Sequence, residues 1–162
     1  MNKDLLDFED AQARLLAAAR TIAETESVAT LDALGRVLAS AQHSAIDVPP
    51  HDNSAMDGYA LRAADVPAPG CQLAVSQRIP AGSVGASLAA GTAARIFTGA
   101  PIPPGADAVV MQERCVAANE QVTINHQPQA GENIRRAGED VKRGAEILTA
   151  GTRLTPQALG LA

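Results

Sequence analysis

The sequence predicts an α+β protein, with N-terminal helices and an extended linker region into which a compact β domain is inserted. Three observations predict it. Phe8, Ala11, Leu15, Ala18 and Ile22 recur at three- and four-residue spacing near the start, which makes one apolar stripe on a helix. From Asp47 to Asp140 the texture changes to short β-like runs punctuated by proline and glycine. The chain then closes on "TPQALGLA", the opening of a capped helix. On this reading residues 1–46 and 141–162 form the helical and extended linker and dimerisation region, and residues 47–140 form the β domain.

Each element has its own signal. "DFEDAQARLLAAARTIAE" reads as the first helix, with Asp7 as N-cap and Glu9 and Asp10 favourable in the first turn. Its narrow stripe suits packing against another helix, of a second subunit or of its own chain. "TLDALGRVLAS" reads as a short helix with Thr30 as N-cap and Gly35 left-handed just past its end, and "RVLASAQ" leaves it extended. Within the β domain the strands are "CQLAVSQRI", "AARIFTG", "DAVVMQERCV" and "QVTINH". "AANE" is a hairpin loop between the last two. A sandwich or barrel is expected, with Pro67, Pro69, Pro80, Pro101, Pro103 and Pro104 in loops or at edges. Thr155 followed by Pro156 makes an N-cap and first-turn pair. The sequence stops seven residues into that helix, which suggests a truncated chain.

Composition narrows the function. The formal net charge is -5, so there is no broad attraction to nucleic acid or to an anionic membrane. No apolar run reaches the ~18 residues of a membrane span, and the acidic "MNKDLLDFED" lacks a signal-peptide core. A soluble, cytoplasmic protein is expected. Cys71 and Cys115 are far apart and outside any CxxC pair, which argues for reduced thiols over a disulfide framework or a zinc site.

Three stretches could carry chemistry. "DVPPHDNSAMDGYAL" crowds Asp52, Asn53, Ser54 and Asp57 beside the only tyrosine. A calcium loop is excluded, because the sixth and twelfth positions from Asp52 hold Asp57 and Ala63. The structural alternative is that Asp52 and Asn53 cap a turn and Asp57-Gly58 makes another. "RIFTGAPIPPGADAVVMQE" offers Thr98 beside a glycine, a hydroxyl and an open N–H suited to an anion, or else an ordinary strand corner. It also reads "VVMQE" as a strand with Gln112 and Glu113 at its polar end. "GENIRRAGEDVKRG" interleaves Arg135, Arg136, Lys142 and Arg143 with Glu132, Glu139 and Asp140. This is either an oxyanion-binding cluster or a self-compensating solvated turn.

Taken in order, these three stretches and the closing "GTRLTPQALGLA" closely resemble the N-terminal part of the molybdopterin molybdenumtransferase (MoeA) family, which includes the E domain of gephyrin. The resemblance runs from the first helix onward. It implies insertion of molybdenum, delivered as molybdate, into the dithiolene of adenylylated molybdopterin with release of AMP. Magnesium would assist, and molybdopterin adenylyltransferase would hand over the substrate. It implies an elongated homodimer, whose active site lies between the β domain of one subunit and an α/β domain of the other. Carried over by position, Asp57 and Asp140 would be cleft carboxylates needed for the transfer. Thr98 would contact the substrate or oxyanion, and Arg135 would neutralise phosphate or molybdate charge. His51 stands where family members often carry an aromatic residue, a difference of packing. The family's catalytic α/β domain and last β domain should follow Ala162, so this chain alone is expected not to complete the transfer. The alternative reading is a non-catalytic dimerisation or scaffold module of the same family. The three loops, centred near residues 57, 98 and 137, are expected to gather on one face.

Overall fold

The computed structural model describes residues 6–162. They divide into two compact units, one of residues 41–149 and one of residues up to 40 together with 150–162. The fold is mostly β, with few helices and a curled main sheet.

In the second of these units, α1 spans Phe8–Ala18, and Asp7 caps it by accepting a hydrogen bond from the Glu9 N–H. The helix stops well short of Glu24, correcting the longer helix read from the stripe. The segment that follows carries β-branched Thr21, Ile22, Thr25 and Val28, which lose side-chain freedom in a helix. No residue of α1 is buried by the described chain, so no packing holds those residues helical against their propensity. Phe8, Leu15 and Leu16 are all more than two-thirds exposed. Thr30–Asp32 form only a 3-10 turn, capped by Ala29 rather than by Thr30. Gly35 is left-handed as expected, and its N–H reaches the Leu154 carbonyl. Thr155 caps α2 (Pro156–Leu159), accepting from the Ala158 N–H.

The larger unit is built on six strands: β3 (Gly58–Leu61), β4 (Cys71–Ile79), β5 (Thr92–Ile96), β6 (Ala108–Met111), β7 (Cys115–Ala118) and β8 (Gln121–Ile124). Their order is β6-β3-β5-β4-β8-β7. All neighbours are antiparallel except β4 and β5. Asn119 and Glu120 both take positive φ in the β7–β8 hairpin, the two-residue turn whose twist suits flanking strands. Residues 112–114 leave the sheet as a 3-10 turn, so the strand read through "VVMQE" ends at Met111.

Apolar cores lie on both faces of this sheet. Tyr59, Leu61, Leu73, Val110, Val122 and Ile124 fill one, and Ala60, Ile79, Ala94, Ile96 and Val109 fill the other. Every residue of β3 is therefore buried. On β4, Leu73 and Ile79 share parity yet enter opposite cores. A bulge explains this: the register against β5 steps from Val75–Ala93 to Gln77–Ala94, leaving Ser76 as an extra residue. One inserted residue exchanges the two faces of everything beyond it.

Two short ladders complete the unit. β1 (Gln42–His43) pairs with β10 (Glu146–Leu148), and β2 (Asn53–Ser54) pairs with β9 (Ile134–Arg135). No helix among the described residues is long and apolar enough to cross a membrane.

Candidate functional site

Strand β2 is the junction of the three chemistry-bearing stretches. On one side it pairs with β9, and the Ala55 N–H continues that contact to the Asn133 carbonyl. On the other side the Ser54 N–H donates to the Ala100 carbonyl and the Gly99 N–H donates to the Ser54 carbonyl, while the Ile102 N–H donates to Asp52. Residues 52–55 thus lie between the 99–102 loop and the 133–135 segment. Ser54 is buried, and its hydroxyl donates to the Met56 carbonyl at 2.6 Å, folding the chain toward Asp57.

Asp57 and Thr98 touch directly. Asp57 Oδ1 accepts from the Thr98 backbone N–H at 2.8 Å and from its hydroxyl at 2.7 Å. The backbone bond, then the hydroxyl bond, hold the Asp57 carboxyl below its ordinary pKa, since donors stabilise the charged form. Asp57 is therefore an ionised carboxylate at neutral pH, with Oδ2 outside this clamp. Both donors of Thr98 are spent on Asp57, so in this state Thr98 positions the carboxylate.

Arg135 and Asp140 form the second pair. Arg135 Nη2 donates to both Asp140 oxygens at 2.6 Å, and its Nε reaches Glu139 at 3.3 Å. Asp140, then Glu139, push the guanidinium pKa further up. Its charge is matched by two carboxylates within the same loop. Among the described residues no hydrogen bond or ion pair joins the Asp57–Thr98 pair to the Arg135–Asp140 pair; they are related through β2 and β9.

Asp52 does not cap a local turn. It accepts from the Ala137 N–H at 2.9 Å and from Arg136 Nη1 at 2.6 Å. The Ala137 bond leads in holding its pKa down. It therefore fastens a loop more than eighty residues away, and sequence spacing carries no trace of that. Nor do Asp57 and Gly58 make a turn, because Gly58 opens β3. A Cβ there would fall 2.1 Å from the Val110 carbonyl oxygen, so the glycine serves close strand approach.

Arg95 is the organising residue the sequence did not reveal. Its Nη1 donates to the Gly58 carbonyl at 2.9 Å and its Nη2 to Gln112 Oε1 at 2.5 Å. Its guanidinium lies 4.6 Å from the centre of the Phe97 ring and 5.3 Å from that of Tyr59, within cation–π range. The only advance signal was an arginine in an otherwise apolar strand. Among the described residues no three His, Cys, Asp or Glu side chains cluster as a metal-ligand set.

In sequence and fold this mostly β chain is similar to proteins named for molybdopterin biosynthesis. The model of the MoeA N-terminal region (domain I and II) matches residues 6–162, and the chain belongs to that family. The molybdopterin molybdenumtransferase of Haemophilus influenzae is 40% identical over 97% of this chain and 39% of its own length. That of Nostoc sp. is 41% identical over 85% of this chain and 33% of its own. The crystal structure of a molybdopterin biosynthesis MoeA protein from Pyrococcus horikoshii superposes with a TM-score of 0.90, at 38% identity, over 97% of this chain and 43% of that one. The chain thus spans 33–43% of the length of these relatives.

Proposed function

We propose that this chain is the N-terminal part of a molybdopterin molybdenumtransferase, a transferase of molybdenum cofactor biosynthesis. The parent inserts molybdenum from molybdate into the dithiolene of adenylylated molybdopterin and releases AMP. The single observation that carries the reading from these residues is the Asp57–Thr98 clamp, seated at the junction of all three motif segments.

The roles follow from the geometry. Asp57 is kept ionised, so it acts as a carboxylate that orients a ligand or accepts a proton, and it is not a general acid near neutral pH. Thr98 fixes its rotamer. Asp140, held by Arg135, presents a second carboxylate, and Arg135 turns to an anionic ligand only by giving up that pair. Magnesium commonly takes one or two carboxylates together with water and substrate phosphates, and Asp57 Oδ2 can supply one such oxygen. When bound, magnesium would offset phosphate charge. The exposed apolar side of α1 supports homodimerisation, and molybdopterin adenylyltransferase is the substrate donor on this reading. This chain by itself does not complete the transfer.

The test is a chimera in which this chain replaces the matching region of the Haemophilus relative. It is assayed for AMP release and molybdenum incorporation with adenylylated molybdopterin and molybdate. Activity that falls at least a hundredfold in Asp57→Asn supports the reading. A folded chimera without turnover, or one indifferent to Asp57→Asn, counts against it, as does full turnover by this chain alone.

A further inference from the structure

We propose that the larger unit carries an oxyanion-binding groove built on Arg78, Arg95 and the Tyr59 hydroxyl, which takes the phosphate or diphosphate end of a ligand. An open groove of about 510 Å³ is lined by these three residues together with Ser76, Glu120 and Gln121, among others. It holds whether or not the chain takes part in molybdenum transfer.

The β4 bulge builds this groove. Were Ser76 paired in register rather than surplus to it, Arg78 would fall on the opposite face, toward the core that holds Ile96. With it, Arg78 pairs directly across from Arg95, and Arg95 across from Tyr59. The three side chains form one row across three strands. Arg78 lies 4.8 Å and Arg95 4.6 Å from the centre of the same Phe97 ring. Two guanidiniums thus share one aromatic neighbour.

Neither Arg78 nor Arg95 is held by a carboxylate at ion-pair distance among the described residues, and the Arg95 charge reaches Asp57 only as a minor influence. Arg95 donates to two backbone carbonyls and to the neutral Gln112 amide. Glu120 is the one carboxylate on the groove wall. By contrast Arg135 and Arg136, the arginines of the sequence motif, are already matched by Asp140, Glu139 and Asp52. Arg78 and Arg95, without an ion pair, both line the groove.

Tyr59 supplies the independent observation. The residue is only 8% exposed, yet its hydroxyl finds no hydrogen-bond partner among the described residues. It is not sealed in, since no buried side-chain polar atom lacks a partner. The hydroxyl is therefore accessible, and the residue that carries it lines the groove. A burial this deep ending in an open hydroxyl is satisfied by water or by a ligand acceptor. Planar guanidiniums recognise phosphate oxygens through paired N–H donors.

The probes are sodium phosphate and sodium pyrophosphate, titrated into the 162-residue chain at constant ionic strength. Tyr59 is the only tyrosine and the chain has no tryptophan, so its fluorescence reports occupancy directly. A saturable change with either probe supports the site; tighter pyrophosphate binding assigns two linked phosphoryl groups, and equal binding assigns one. Arg78→Gln should weaken binding about tenfold. Tyr59→Phe, followed by calorimetry, should weaken it about threefold. Glu120→Gln, on the exposed hairpin, should tighten it about twofold, which gives a readout if Arg78→Gln fails to fold. No saturable change up to 20 mM overturns the proposal. So does an equal change with chloride, unaltered binding in Arg78→Gln, or unaltered or weaker binding in Glu120→Gln.

Discussion

Replacing Gly58 by alanine tests the physical core of the site. The added Cβ would lie 2.1 Å from the Val110 carbonyl oxygen and 2.9 Å from its carbon. Both are backbone atoms of β6, so no side chain can swing aside. Ordinary contact begins at 3.4 Å, so 3.4 less 2.1 leaves about 1.3 Å to be found. A ladder bond stretched that far is lost. Two such bonds cost about 2 kcal/mol, and the overpacked backbone adds 1–3 kcal/mol, for a total of about 3–5 kcal/mol. In a chain of this size that is a fall of roughly 10 °C in Tm. Far-UV circular dichroism and the near-UV signal of Tyr59, the next residue, follow the melt. Gly82→Ala is the control: its φ is +79° and its Cβ would meet nothing within 4 Å, so only the left-handed penalty of about 1 kcal/mol applies. A Gly58→Ala melt within 3 °C of the parent, or no lower than Gly82→Ala, refutes the close-approach argument.

Three further outcomes follow from Asp57, Cys115 and Asp52. Asp57 has a folded pKa below its ordinary value, so its clamp contributes stability above the ordinary carboxylate pKa, and that is lost as pH falls through the folded value. Carboxyl-carbon NMR of Thr98→Val should show the Asp57 midpoint moving up, with the backbone bond keeping part of the depression. Burial pushes the Cys115 thiol up to about 11 from 9.0. At pH 8 its thiolate is then about a hundredfold scarcer than in the unfolded chain, and mass-mapped iodoacetamide labelling should be slower by at least that factor. Asp52→Asn removes the charge holding Arg136 and weakens the bond to the Ala137 N–H. Tryptic cleavage after Arg136 should accelerate severalfold while Tm falls by no more than a few degrees.

What could be read from the chain and what could not divide along physical lines. Features set by neighbours in sequence were legible: the Asp7 and Thr155 caps, the β7–β8 hairpin, the bounds of β4 from Cys71 to Ile79. The length of α1 was not, because the stripe continues to Ile22 while the tertiary packing that would reward it is absent from the described chain. Nor were the Asp52–Ala137 fastening and the Asp57–Thr98 clamp, since a bond between residues 85 or 41 apart leaves no period to detect. The motif segments pointed to Asp57, Thr98, Arg135 and Asp140, but their pairing required the fold. Arg95 was invisible for a related reason: its importance comes from cross-strand neighbours.

The β4 bulge makes the same point as an experiment. "CQLAVSQRI" alternates except at Gln77, and a period-two reading assigns Leu73, Val75 and Ile79 to one face. They divide between two cores because Ser76 is surplus to the register. Deleting a residue from the middle of a strand ordinarily turns half of it inside out. Deleting Ser76 should not: Val75 already opposes Ala93 and Gln77 already opposes Ala94, so the shortened strand closes into a regular ladder. The loss is the Ser76 hydroxyl bond to the Ala93 carbonyl at 3.3 Å, about 1 kcal/mol. Arg78 stays opposite Arg95. Deleting Ala94 from unbulged β5 has no such escape, because either Ala93 or Ile96 must leave its core, and the larger unit should not fold. If the Ser76 deletion melts as low as the Ala94 deletion, the two-faced reading of β4 fails, and with it the route by which Arg78 reaches the groove.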